Sequence, residues 1–132
     1  MAIILTTIGF MVLEGQLQTT NGRILARIGA TAYLLAGTLG VAAEALNLTR
    51  TGQGFYPLIV VYVVVAFLAQ VAIGGALLQS GLTPAWLGWT TIVWNIAWLV
   101  VLLLFARRDI YFPVLHHVAP LLIGLAVLGR AP

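Results

Sequence analysis

Residues 55–79 read FYPLIVVYVVVAFLAQVAIGGALLQ, residues 80–84 read SGLTP, and residues 85–106 read AWLGWTTIVWNIAWLVVLLLFA. Neither long run contains Lys, Arg, Asp or Glu, and each exceeds the ~20 residues that a helix needs to cross a hydrocarbon core of ~30 Å. Val60 to Val65 is β-branched or aromatic throughout and would suggest a strand in water. In lipid every backbone N–H and C=O must be satisfied within the segment, so helix is the predicted state. The link between the runs supports this: Gly81 suits a helix end and Pro84 a helix start. Two antiparallel membrane helices joined by a tight turn are expected.

Working outward, the same reasoning places further spans at about 2–17, 23–46 and 113–128, next to 55–79 and 85–106. The predicted fold class is all-α, a helical transmembrane bundle of four to five membrane spans joined by short loops, forming a single domain over 1–132. Composition agrees: the chain is 62% hydrophobic and 7% charged, with a mean hydropathy of +1.11, where soluble domains carry roughly a quarter charged residues. The first span is the short one, since sixteen residues at ~1.5 Å each make only ~24 Å of helix. No basic region precedes its apolar stretch, Ala2 to Leu13, which runs on into Glu14, Gly15 and Gln16, so it does not read as a cleaved leader.

All six basic residues are arginine, at 23, 27, 50, 107, 108 and 130. They are dispersed at predicted span ends, which excludes the clustered basic face of a nucleic-acid binder. With five spans they divide three to three between the two membrane sides, so the positive-inside rule assigns no orientation. The chain has no cysteine, which rules out disulfides, thiolate catalysis and thiolate metal ligation.

The run Gly75-Ala-Leu-Leu-Gln-Ser-Gly81-Leu-Thr-Pro84-Ala-Trp86-Leu-Gly-Trp89 resembles a turn signature of uncharacterised multi-span bacterial membrane proteins. In that family an apolar helix ends in Gly-Leu-x-Pro-x-Trp-Leu-Gly and the next helix begins. The resemblance extends over residues 55–130. It implies a shortened relative of longer members, a multi-pass protein of a bacterial inner membrane, and a fold more than an activity.

Polar groups inside spans are costly when they face lipid, at about 2.5–3.5 kcal/mol for a charge, so they are expected to face the bundle. Glu44 follows Ala32, Ala36 and Gly40 on an i, i+4 row whose small residues allow close helix approach. Glu14 is either the polar end of the first helix or a protonatable group within the membrane. Tyr62, Ala66, Gln70 and Gly74 form one row on the third span, and Gly88, Thr91, Asn95 and Trp98 form a stripe on the fourth. These faces are expected to meet, with Gln70 hydrogen-bonded to Asn95.

The densest chemical signal is Pro113-Val-Leu-His116-His117-Val-Ala-Pro120. Pro120 cannot donate to the carbonyl four residues back, which frees that of His116. His117 shares a face with Pro113, Pro120 and Gly124, so it is expected to point into the bundle with a partner, and His116 to lie nearer the periphery. Adjacent histidines diverge by ~100° on a helix and do not chelate one ion. No metal or cofactor is therefore predicted, and haem would require copies of His117 meeting across a subunit interface.

No serine-nucleophile motif, phosphate loop or cysteine is present. The functional expectation is a small integral membrane protein that binds an apolar ligand or serves as an accessory or assembly subunit, with a polar pocket among the later spans. The candidate ligand or proton-handling residues are His117, His116, Glu44, Glu14, Asn95, Gln70 and Tyr62. One alternative is an oligomeric proton-coupled transporter using Glu14 or Glu44. Another is a membrane enzyme pairing His117 with Glu44 or Asp109. The expected partners are the bilayer, further copies or a larger membrane complex, and an apolar small molecule.

Overall fold

A computed structural model of the chain describes residues 2–48, 56–105 and 113–129. The described residues form five helices, α1 (Ala2–Leu17), α2 (Arg23–Leu48), α3 (Tyr56–Ser80), α4 (Ala85–Phe105) and α5 (Pro113–Leu128). No described residue is in a strand, and the all-α bundle expected from the apolar runs is what forms. Of the residues singled out above, Arg50, Arg107, Arg108, Asp109 and Arg130 lie outside the described residues.

α2, α3 and α4 are long and apolar enough to cross a membrane, and α1 and α5 are shorter apolar helices. The outward surface is apolar as well, with Ile8, Val12, Ile24, Leu35, Leu68, Trp86, Trp89, Val93 and Leu104 all exposed. A helix that is apolar all round belongs in the core of a large protein or in lipid, and a five-helix chain has no such core to offer its outer faces.

Both described connections end a helix in the same way. The Thr20 hydroxyl donates to Leu17 O (2.8 Å) and accepts from Gly22 N (3.2 Å). Ser80 repeats the device, donating to Leu77 O (2.8 Å) and accepting from Leu82 N (3.2 Å). Each hydroxyl donates to a carbonyl of the last helical turn, where intrahelical donors run out; Leu17 O also accepts from Thr20 N at 3.0 Å. Gly81 takes φ +64°, a left-handed conformation that a Cβ disfavours.

α3 lies between α2 and α4. Gly22, just before α2, and Ala26, Gly29, Tyr33, Ala36, Gly40 and Ala43 along it are all buried, and the glycines meet α3 directly, Gly22 at Ala76, Gly29 at Ala69 and Ile73, and Gly40 at Tyr62. The alternating four- and three-residue spacing is that of a left-handed coil. A Cβ on Gly29 would lie 2.8 Å from Ala69 O, and one on Gly40 would lie 2.9 Å from the Tyr62 ring and 3.1 Å from Ile3. Of the expected row Ala32, Ala36 and Gly40, Gly40 meets Tyr62 and Ile3 within the chain, Ala36 is buried and Ala32 is partly exposed. On the far side of α3, Gly74 meets Gly88 backbone to backbone.

α1 seals the outer side of α2 with Ile3, Phe10, Leu13 and Leu17 buried; Phe10 meets Tyr33 edge to face at 4.9 Å. α5 packs against α4, α3 and α1. Since successive helices alternate in direction, α1 and α5 run parallel and close the bundle side by side.

Candidate functional site

Pro120 determines how α5 is held. The His116 carbonyl that it frees accepts a hydrogen bond from Gln70 Nε2 at 3.1 Å, with both residues fully buried. One residue earlier, Leu115 O accepts from Trp94 Nε1 at 3.2 Å. Side chains of α3 and α4 thereby grip consecutive carbonyls of α5 just before its proline.

This corrects the expected pairing of Gln70 with Asn95. Gln70 is drawn to α5 because a carbonyl without its helical donor is a costly group in an apolar interior. Asn95 turns back to its own helix, donating to Thr91 O at 2.7 Å, and Thr91 likewise donates to Leu87 O at 2.8 Å. The two faces do meet, through Gly74 and Gly88.

The two histidines exchange the places expected of them. His116 is fully buried, its ring stacked on Tyr62 (centroids 5.4 Å, 28° between planes) and tilted against Phe67 (4.4 Å, 32°). Neither of its ring nitrogens has a hydrogen-bond partner among the described residues. His117 is half-buried on the side toward α1, where its Nδ1 lies 3.2 Å from the Thr6 hydroxyl; the expectation that it has a partner holds. The inner face of α5 is His116, Ala119 and Ile123, all buried. The row of His117 and Gly124 looks small enough for close packing, but a Cβ on Gly124 meets nothing within 4 Å. There the missing side chains leave a cavity instead of a contact.

An imidazole with two unpartnered nitrogens should contribute little that an aliphatic side chain of similar size could not. His116→Leu forfeits ring contacts worth about 0.5–1.5 kcal/mol and removes polar atoms whose lonely burial costs about 1–3 kcal/mol. Thermal unfolding in detergent should show the variant unchanged or stabilised. A loss of more than about 2 kcal/mol would mean that the ring has a partner.

The cavity, of about 440 Å³, lies between α1 and α5. Leu5, Gly9, Phe10 and Leu13 form one wall, and Pro120, Leu121, Gly124 and Val127 the other. Its polar lining is Thr6, His117 and Gln16. From His117 to Val127 the groove runs about 15 Å at 1.5 Å per residue. Thr6 and His117 stand together at one end of it and Gln16 toward the other.

Behind this pair, the Tyr33 hydroxyl faces the side chains of Thr6 and Tyr62 without a hydrogen bond of ordinary geometry. Glu44, exposed near the end of α2, is within electrostatic reach of His117. The structure therefore brings Tyr62, Gln70, His116 and His117 to one side of the bundle with Glu44 beside them, while Asn95 belongs to the α3–α4 seam. Glu14 lies at the opposite end, hydrogen-bonded by Gln18 and paired with Arg27 at 3.4 Å. Thr6 and Tyr33 are site residues that sequence reasoning passed over. Thr6 had a legible signal, as a hydroxyl within an apolar helix that needs a partner away from lipid.

The Thr6–His117 pair can serve a ligand in two ways. With the threonine hydroxyl donating to Nδ1, the imidazole proton sits on Nε2 and can be donated; with the roles exchanged, Nε2 accepts. No family model matches the chain, and neither does any curated protein or solved structure at a significant level.

Proposed function

We propose that this chain is a small membrane binding protein that takes an apolar molecule from the bilayer into the groove between α1 and α5. The observation that carries the reading is a cavity of about 440 Å³, apolar along its walls, with the Thr6–His117 pair at one end. Ligand sites for small molecules commonly have that character, being roughly 300–1,000 Å³ and mostly apolar with a few convergent polar groups. α1 and α5, the two short helices, flank it, so entry from the lipid side needs no separation of the tightly seamed α2, α3 and α4. The turn resemblance supports a bacterial inner membrane as its setting. The transporter alternative gains nothing from Glu14, which is engaged by Arg27 and Gln18 at a helix end.

Gly9 and Gly124 line the groove, and a Cβ at either meets nothing within 4 Å, so both accept larger side chains without disturbing a seam. Native mass spectrometry of protein purified in mild detergent should show a retained lipid-sized adduct. Gly9→Phe and Gly124→Phe should each lose it with the melting temperature preserved. Adduct retained undiminished by both variants would place binding elsewhere and refute the groove.

A further inference from the structure

We infer that the groove selects an uncharged lipid with a single tail and a carbonyl head, and that His117 is the residue that recognises the head. This rests on the reading of the α1–α5 groove as a ligand site and specifies its occupant.

The tail follows from shape. About 15 Å of groove lies between the His117 end and Val127, bounded by Leu5, Gly9 and Phe10 on one side and Leu121 and Gly124 on the other. It lies between just two helices, which suits one extended acyl or prenyl chain.

Neutrality of the head follows from the lining. Among the described residues, no Lys, Arg, Asp or Glu lines the cavity. A charge placed in an apolar site without a counter-charge is strongly disfavoured. A phosphate or carboxylate head thus finds no cation in the lining to receive it, and a cationic head finds no carboxylate.

The carbonyl follows from the direction of the hydrogen bond. The Thr6 hydroxyl lies 3.2 Å from His117 Nδ1, a contact that either atom can donate, and of the two directions we assign the one in which the hydroxyl is the donor. The imidazole proton then resides on Nε2, the ring nitrogen that Thr6 does not engage, and His117 lines the cavity. A donor aimed into an apolar groove calls for an acceptor on the ligand, and an uncharged carbonyl oxygen is one that needs no counter-ion. Quinones with a prenyl chain and monoacyl esters both carry it.

Binding to the protein in nanodiscs, measured by competition against a fluorescent acyl probe, tests this with four ligands: a benzoquinone bearing a decyl chain, a monoacylglycerol, palmitate and dodecylamine. One or both of the first two should bind at least about tenfold more tightly than either charged ligand, and which of them does so identifies the head as quinone or ester. His117→Leu should weaken the favoured ligand about tenfold, the loss of one donated hydrogen bond, and leave displacement by a decylbenzene control unchanged. Gly124→Phe should abolish all of them. Palmitate or dodecylamine binding as tightly as the neutral ligands, or His117→Leu lowering decylbenzene equally, would overturn the inference and leave the groove standing. Failure of every ligand to bind would overturn both.

Discussion

Gly74→Leu should prevent the bundle from assembling, and Gly74→Ala alone should destabilise it by about 1–3 kcal/mol, the usual cost of forcing extra carbon into a packed interior. A Cβ at Gly74 would lie 2.9 Å from Gly88 O and 2.8 Å from an Ile92 side-chain carbon; one at Gly88 would lie 2.8 Å from Gly74 O and 2.6 Å from Leu78. The obstruction on each side is partly backbone, which cannot rotate away. Relief requires α3 and α4 to separate, and separation also disturbs Gln70, which sits on the same side of α3 and holds α5. Gly88→Ala should behave alike. Gly9→Ala, Gly15→Ala and Gly124→Ala are the controls: a methyl at these sites touches nothing within 4 Å, and replacing glycine in a helix gains up to about 1 kcal/mol. Denaturation in mixed micelles reads the difference. Equal effects at Gly74 and Gly124 would show that α3 and α4 are not in backbone contact.

Gln70→Leu should destabilise the protein by about 1–3 kcal/mol, because His116 O loses a donor that its own helix cannot replace. Part of that loss is offset, since Gln70 Oε1 is itself buried without a partner and disappears with the substitution. The sharper result comes from combining it with Pro120→Ala. An alanine N–H at 120 is four residues beyond His116 and can donate to the same carbonyl. In the wild-type background it competes with Gln70 for an occupied acceptor and should alter stability little. In the Gln70→Leu background it supplies the missing bond and should restore most of what was lost. The double-mutant cycle should therefore show coupling in the range of 0.5–3 kcal/mol typical of residues sharing a network. Strict additivity would mean that proline and glutamine do not meet at one carbonyl.

Both results depend on features that were legible to different degrees. The carbonyl freed by Pro120 could be read from the chain, because a proline removes one named hydrogen bond four residues back. The residue that would fill the gap could not, as Gln70 and Asn95 are equally capable donors on neighbouring helices. Along α2, the row Ala32, Ala36 and Gly40 was legible as a close-approach face, and of these Ala36 and Gly40 are buried. The straight i, i+4 row that revealed them leads on to exposed Glu44, whereas the seam in the fold steps by alternating fours and threes through Gly22, Gly29 and Tyr33.

What the amino-acid sequence determined by itself was the five helical segments and their ends. Apolar runs without charge must satisfy their own backbone in hydrocarbon, and residues such as Thr20, Ser80, Gly81 and Pro84 stop and start helices by local geometry alone. Tertiary structure alone decided which histidine is inner and where the cavity lies. In water, burial sorts apolar residues from polar ones and so reveals the inner face of a helix. A bilayer is as apolar as the bundle interior, so hydrophobicity carries no such signal here. Only the packing of α5 between α3 and α1 decides that His116 is enclosed by Tyr62 and Phe67 while His117 faces the groove with Thr6.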